Sequence, residues 1–224
     1  MKLYMHPVST TCRPILQFMV DAHIDAEQQV VDILKGEQYG EAYSKLNPNH
    51  LVPMLEDGDL RLTESAAILR YLADKVGSPA YPKDPRQRAK VDELIEWFNS
   101  NFYRDFGYGL VYPQAFAHMK HADPVVQAAT LAAGREKSKN WFQVLNDHWL
   151  GPNKTYLCGA EPTIADYFGA ALVGIAEIIH CDLSRYPNVA RWLAAMQKRP
   201  SYAEVAKVFE GYCASTRDQA FVGL

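Results

Sequence analysis

Leu51-Val52-Pro53-Met54-Leu55-Glu56-Asp57-Gly58-Asp59-Leu60-Arg61-Leu62-Thr63-Glu64-Ser65 decides the fold of this 224-residue chain. The stretch reads as a loop, a strand, an Asp-Gly turn, a second strand and a helix start. Proline lacks an N–H and fixes its own φ, so Pro53 belongs at a strand entry rather than inside it. A cis bond is cheap only before proline. Here it would turn the Val52 amide outward, toward a ligand. Glu64-Ser65 opens an amphipathic helix whose free backbone N–H groups favour an anion. A strand edge and a helix N-terminus so close in sequence suit a short peptide that carries a carboxylate.

Working outward, the N-terminal part mixes two periods. Lys2–Met5 is a short apolar strand, broken by Pro7. Cys12–Ala22 reads as a helix with Ile15, Leu16, Phe18, Met19 and Ala22 on one face. Glu27–Asp32 is a second strand, and Glu41–Leu46 a short helix before Asn47-Pro48. Met54–Glu56 and Leu60–Leu62 flank Asp57-Gly58, a hairpin signal. Glu64–Lys75 is a helix with Ala67, Ile68, Tyr71 and Leu72 inward. The order is βαβ, then αββα. Gly77 through Pro85 forms a linker. Beyond it the periods are helical throughout: 86–106, 125–150 after a Pro124 at the first helical position, 163–179, 188–198 and 201–212. The residues after Cys213 are weakly patterned, and are expected to fray or to cover a cleft. The domains are therefore expected at 1–78 and 85–224.

Composition narrows the function. Hydrophobic residues make up 48% of the chain and net charge is −3. Without a basic face, nucleic acid is excluded as a partner. No apolar run approaches the roughly 20 residues of a membrane helix. Pro7 arrives too early for a secretory signal. Cys12, Cys158, Cys181 and Cys213 form no C-x-x-C, so neither a disulfide framework nor a metal site is expected. A reducing, cytoplasmic location fits best.

The motifs, taken together, resemble those of the glutathione transferases. His6-Pro7-Val8-Ser9-Thr10-Thr11-Cys12-Arg13 is similar to the serine loop of the theta and delta classes, and the run through Gln17-Phe18-Met19 to the dichloromethane-dehalogenating bacterial members. Asn47 to Pro53 resembles the family's loop into its cis-proline, and Thr63-Glu64-Ser65-Ala66-Ala67-Ile68 its glutamyl-binding motif. Thr163-Ile164-Ala165-Asp166 matches the capping box of its C-terminal domain. The resemblance implies α/β plus all-α architecture: a thioredoxin-like N-terminal domain, then a helical bundle. It implies glutathione as co-substrate, no metal or other cofactor, a hydrophobic electrophile as second partner, and a homodimer.

The chemistry would centre on a thiol. A free thiol has a pKa near 8.5, and only its thiolate is the nucleophile. By resemblance Ser9 donates a hydrogen bond to the glutathione thiolate, helped by the positive end of the following helix. The competing reading is that Ser9, Thr10 or Thr11 only caps that helix. Cys12 is the rival nucleophile, since a cysteine at a helix N-terminus can be reactive. Ser9 and Cys12 form S-x-x-C, however, and serine cannot form a mixed disulfide, so Cys12 reads as a small apolar residue. His50, Val52, Pro53, Glu64 and Ser65 form the expected glutathione site. Val52 would pair with the cysteinyl backbone, Ser65 would hold the γ-glutamyl carboxylate, Glu64 would face its amine, and His50 would lie near the glycyl end. Ala66 stands where many transferases have arginine. Thr163-x-x-Asp166 satisfies free N–H groups at a helix start and is structural. Phe102, Tyr103, Phe106, Tyr108, Tyr112 and Phe116 crowd one segment. Phe106, Tyr108 and Tyr112 are the expected electrophile wall, with the two tyrosines able to polarise an electrophile.

Overall fold

A computed structural model describes all residues from 1 to 224. Four strands, β1 (Lys2–Met5), β2 (Glu27–Val30), β3 (Met54–Asp57) and β4 (Leu60–Leu62), form one sheet in the order β2-β1-β3-β4. β1 and β2 are parallel, joined through α1 (Arg13–Asp21). β3 lies antiparallel to β1, with Leu3 opposite Leu55, and β4 returns along β3 through the Asp57-Gly58 turn. Gly58 has φ +64°, the left-handed conformation that such a turn needs and glycine adopts freely. β2 is an edge strand exposed along its whole length, and its Glu27, Gln28 and Gln29 suit water rather than another strand. α2 (Glu41–Leu46) and α3 (Ser65–Lys75) complete the βαβ–αββα order.

The buried face of α3 differs from the expected one. Ala66, Ile68, Leu69, Leu72 and Ala73 are buried, whereas Ala67 and Tyr71 are only half-buried. Tyr71 instead sends its hydroxyl to Asp57 Oδ2 at 2.6 Å, which draws the side chain to the rim of the sheet.

After the linker, Asp84 caps α4 (Pro85–Trp97) by accepting from the Arg86 and Gln87 amides. The helix does not stop near Phe106. It continues through wide, π-type turns (Phe98–Tyr103), α5 (Arg104–Phe106), a second wide stretch (Gly107–Val111) and α6 (Tyr112–Ala115). Gly107 and Gly109 do not break it, because they serve close packing. A Cβ on Gly134, in α7 (Pro124–Val144), would lie 2.2 Å from the Gly109 carbonyl oxygen. The two helices therefore touch backbone to backbone.

α8 (Ile164–Gly174) is buried along its entire length and forms the centre of the helical domain. Its capping box forms: Asp166 Oδ2 accepts from the Thr163 amide and hydroxyl at 2.8 and 2.9 Å, while Oδ1 accepts from the Leu157 amide and the Trp192 indole at 2.8 and 2.9 Å. Burial pushes the Asp166 pKa up, and these four donors pull it back. α9 (Pro187–Gln197) follows. The expected single helix over 201–212 is two, α10 (Pro200–Val205) and α11 (Lys207–Ser215), separated at buried Ala206. The tail folds back: the Val222 amide donates to Gln114 Oε1 at 2.7 Å, and Gln114 Nε2 donates to the Val222 carbonyl at 3.1 Å.

One cluster of 47 buried residues runs through both halves, so the two domains share a core. α1 is the joining element. Its Ile15, Leu16, Phe18 and Met19 are buried, each stabilising by about 1.5–3 kcal/mol. Arg13 donates to the Ala171 carbonyl at 3.3 Å, and Asp21 accepts from the Tyr167 hydroxyl and the Arg199 guanidinium, both at 2.6 Å. The residue group just before α1 is thereby fixed against the helical domain.

Candidate active site

Between the domains lies a cleft of about 690 Å³, a size that suits a small-molecule ligand. Ser9, His50, Val52, Pro53, Glu64 and Ser65 all line it, as do Tyr108 and Tyr112. Sequence positions separated by a hundred residues are thus brought to one wall.

The Ser9 turn is built by backbone bonds. The Cys12 and Arg13 amides donate to the Ser9 carbonyl at 3.2 and 3.1 Å, and the Cys12 amide also reaches Ser9 Oγ at 3.3 Å. α1 starts at Arg13 with Cys12 at its cap position and no side chain capping it, so Ser9 is not the helix cap of the competing reading; its Oγ closes the turn just before the helix. That bond uses the serine oxygen as acceptor; its own proton goes to Thr11 Oγ1, whose proton is already committed to the Val52 carbonyl. Thr11 Oγ1 is 3.2 Å away and itself donates to the Val52 carbonyl at 3.1 Å. Closing this turn as an acceptor and donating to a thiolate are compatible roles for one hydroxyl. Cys12 is fully buried, and burial pushes its thiol up to about 11. It is a packed thiol, not a thiolate.

The Val52-Pro53 bond is cis. The loop before it is held from behind. The Leu51 carbonyl accepts from the Tyr43 hydroxyl at 2.6 Å and from Asn47 Nδ2 at 2.7 Å, and the His50 amide donates to the Asn47 carbonyl at 3.1 Å. His50 has φ +55°; its Nδ1 is 3.1 Å from the Gln38 carbonyl and 3.2 Å from Ser44 Oγ. Glu64 has φ +65°, a conformation that costs a non-glycine residue about 1–3 kcal/mol and concentrates at functional sites. No side chain caps α3, so its first amides remain available to an anion beside buried Ser65.

The aromatic segment divides into two columns. Phe98, Phe102, Phe106 and Leu110, spaced by four, are all fully buried. Phe106, expected at the electrophile wall, packs instead against Phe102 and Phe142, with ring centres 5.3 and 5.0 Å apart. The cleft column is Arg104, Tyr108, Tyr112 and Phe116, also spaced by four, with Asn99 and Tyr103 beside it. Wide turns alternating with α turns keep residues four apart nearly in line, where an α-helix of 3.6 residues per turn would let them drift. Tyr108 is half exposed at the rim, while Tyr103 and Tyr112 are buried. Phe168, Ile178, Phe209 and Tyr212 close the far side. Sequence reasoning missed Asn99, Arg104 and this far side. The four-residue spacing was a usable signal for Arg104; nothing local marks the rest.

No group of three or more His, Cys, Asp or Glu side chains is placed to hold a metal ion. No helix is long and apolar enough to cross a membrane.

Known proteins share this arrangement. The family model "Glutathione S-transferase, N-terminal domain" matches residues 1–74, and "Glutathione S-transferase, C-terminal domain" matches residues 111–200. Human glutathione S-transferase theta-1 is 36% identical over 200 residues, covering 86% of this chain and 80% of that protein. Mouse glutathione S-transferase theta-3 is 32% identical over 204 residues, with the same coverage. The solved structure of human glutathione S-transferase T1-1 in its apo form superposes with a TM-score of 0.77 at 30% identity, over 95% of this chain and 90% of that one. A Drosophila mojavensis glutathione transferase homologue with bound glutathione gives a TM-score of 0.83 at 25% identity, over 100% and 98% of the two chains. Sequence, fold and cleft agree: the chain belongs to the glutathione S-transferase family, as an enzyme with theta-class homologues that conjugates glutathione to electrophiles.

Proposed function

We propose that Ser9 is the catalytic residue, and that it works by stabilising the glutathione thiolate rather than as a base or nucleophile. One observation carries this reading: Ser9, Val52 and the residues at the uncapped start of α3 line one cleft. A tripeptide laid along Val52 with its glutamyl carboxylate at α3 brings its sulfur to Ser9. There the serine proton, turned from Thr11 Oγ1 to the sulfur, and the N-terminal end of α1 favour the charged form. The thiolate attacks an electrophilic carbon held against Tyr103, Tyr108, Tyr112 and Phe116. The carbon–sulfur bond forms as the leaving group departs or the acceptor double bond opens.

Glu64 and Ser65 hold the glutamyl end in this reading, and His50 lies toward the glycyl end. Arg104 is the one arginine or lysine on the cleft wall, but its guanidinium is engaged by Asp105 at 3.0 and 2.8 Å. It does not replace the arginine that many transferases carry after the Glu-Ser pair. An aromatic wall in a cleft of about 690 Å³ favours a planar, apolar electrophile over a one-carbon haloalkane. Halide release from dichloromethane, compared with conjugation of an aromatic chloride, separates the two. Family membership supports a homodimer, which size-exclusion chromatography would test as an eluted mass of twice 25.3 kDa. Four unpaired cysteines suit a reducing compartment such as the cytoplasm.

The decisive experiment compares Ser9→Ala with Cys12→Ser. Ser9→Ala removes a charge-assisted hydrogen bond, worth about 1.5–3 kcal/mol, and should raise the bound thiol's pKa by about 1–2 units in a thiolate absorbance titration. Cys12→Ser should leave that pKa in place. An unchanged thiol pKa in Ser9→Ala would overturn the assignment.

A further inference from the structure

Tyr112 has one hydroxyl proton, and it is donated to Thr10 Oγ1 over 2.9 Å. With that proton committed, the Tyr112 oxygen accepts from the Tyr103 hydroxyl, 2.7 Å away. Thr10 and Tyr112 are both buried and lie 102 residues apart, one in each domain. Thr10 directly follows Ser9 and sits inside the turn that the Cys12 and Arg13 amides close on the Ser9 carbonyl. On the other side of that turn, Thr11 is fastened to the Val52 carbonyl. The serine is thus held between two threonine anchors. One runs to the helical domain and the other to the strand entry that receives glutathione.

We propose that Tyr112 is a positioning residue for the thiolate: through Thr10 its hydroxyl fixes the Ser9 turn, instead of polarising the electrophile. The inference rests on the Ser9 reading above. A phenol whose proton is given to a buried acceptor has none to offer a substrate. Burial also pushes the Tyr112 phenol up to about 12, so it remains a donor across the working pH range. Thr10 cannot hold the turn alone, because its side chain needs a fixed partner, and Tyr112 is the one it has across the domain boundary. Tyr108, half exposed at the rim, is left as the tyrosine free to meet an electrophile.

The two roles differ in what they move. A group acting on the electrophile does not alter the thiol before the electrophile arrives. A group holding Ser9 does. Misplacing a catalytic group by about 1 Å costs up to about a hundredfold in rate, and a loss of about tenfold is expected here for a smaller shift. The test uses Tyr112→Phe, Thr10→Val, the double variant and Thr10→Ser. Bound glutathione is titrated by thiolate absorbance without electrophile, and kcat is then measured on two electrophiles of different reactivity. Tyr112→Phe and Thr10→Val should each raise the thiol pKa by about one unit, with no further rise in the double variant. Thr10→Ser, which keeps the hydroxyl, should restore it. Both electrophiles should lose kcat by a similar factor. An unchanged thiol pKa in Tyr112→Phe, or independent effects in the double variant, would overturn the proposal. If Ser9→Ala raises the thiol pKa and Tyr112→Phe does not, this inference fails while the Ser9 reading stands. If Ser9→Ala itself changes nothing, the earlier reading is the one that fails.

Discussion

Replacing Asp166 by alanine should destabilise the protein by about 3–5 kcal/mol although the residue lies outside the cleft. The side chain is 0% exposed and accepts four hydrogen bonds. The Thr163 hydroxyl can turn elsewhere. The Leu157 amide, the Thr163 amide and the Trp192 indole N–H cannot, and each orphaned buried donor costs about 1–3 kcal/mol. Water entering the vacated space keeps the total toward the lower end of that range. For a chain of this length, 1 kcal/mol moves Tm by about 2–4 °C, so a fall of about 10–15 °C is expected. Urea unfolding at 25 °C gives the free energy directly, and calorimetry gives the shift. Asp166→Asn keeps the volume but turns an NH2 toward donors; it should lose nearly as much, which separates the missing acceptor from the missing atoms. A loss below about 1 kcal/mol in both variants would refute the reasoning, since the three donors would then have found other partners.

Three further outcomes follow from the packing and charges. In the native protein at pH 7.5, a thiol reagent should label exposed Cys158 first and leave Cys12 and Cys213 untouched, because burial pushes these two thiols up to about 11 and about 12; rapid loss of Cys12 in a peptide map would contradict that. Gly134→Ala should cost about 3 kcal/mol or more in a thermal melt, because its Cβ would meet the Gly109 carbonyl and not a movable side chain. Asp105 is held below the usual carboxylate range by Arg104, with help from the Trp141 indole. Its contribution is present above the unfolded pKa and is lost as pH falls through the lower folded value. Asp105→Asn should therefore be less stable than the parent at pH 7, and the gap should close as pH drops below about 3.9; a Tm difference that is constant from pH 7 to pH 2.5 would show that the Asp105 charge carries none of it.

The parts of the fold whose signals are local were legible. Pro53, Asp57-Gly58 and the Thr163-x-x-Asp166 box each act through a few neighbouring atoms, and each does in the structure what its chemistry required. Lys2–Met5 and Glu41–Leu46 form with the expected ends. The aromatic segment was not legible in the same way. Phe106 and Tyr112 are both large, apolar and six residues apart, and local sequence does not say which face meets the core. That is settled by α7 pressing its Gly134 onto Gly109, a contact no pattern in either helix announces. The split at Ala206 is similar, since Ser201–Tyr212 has helical character throughout. The threonines beside Ser9 were visible as possible impostors, but their bonds to Tyr112 and Val52 span 102 and 41 residues.

The two columns on the long helix, Phe98–Phe102–Phe106–Leu110 inward and Arg104–Tyr108–Tyr112–Phe116 toward the cleft, separate heredity of shape from heredity of taste. Side chains at Tyr108 and Phe116 can be exchanged by mutation without disturbing the buried file that keeps the helix in place, whereas Arg104 is held on buried Asp105. Tyr112 is fixed too, tied as it is to Thr10. A lineage carrying this scaffold has two positions on which to try new electrophiles and two on which it should not gamble.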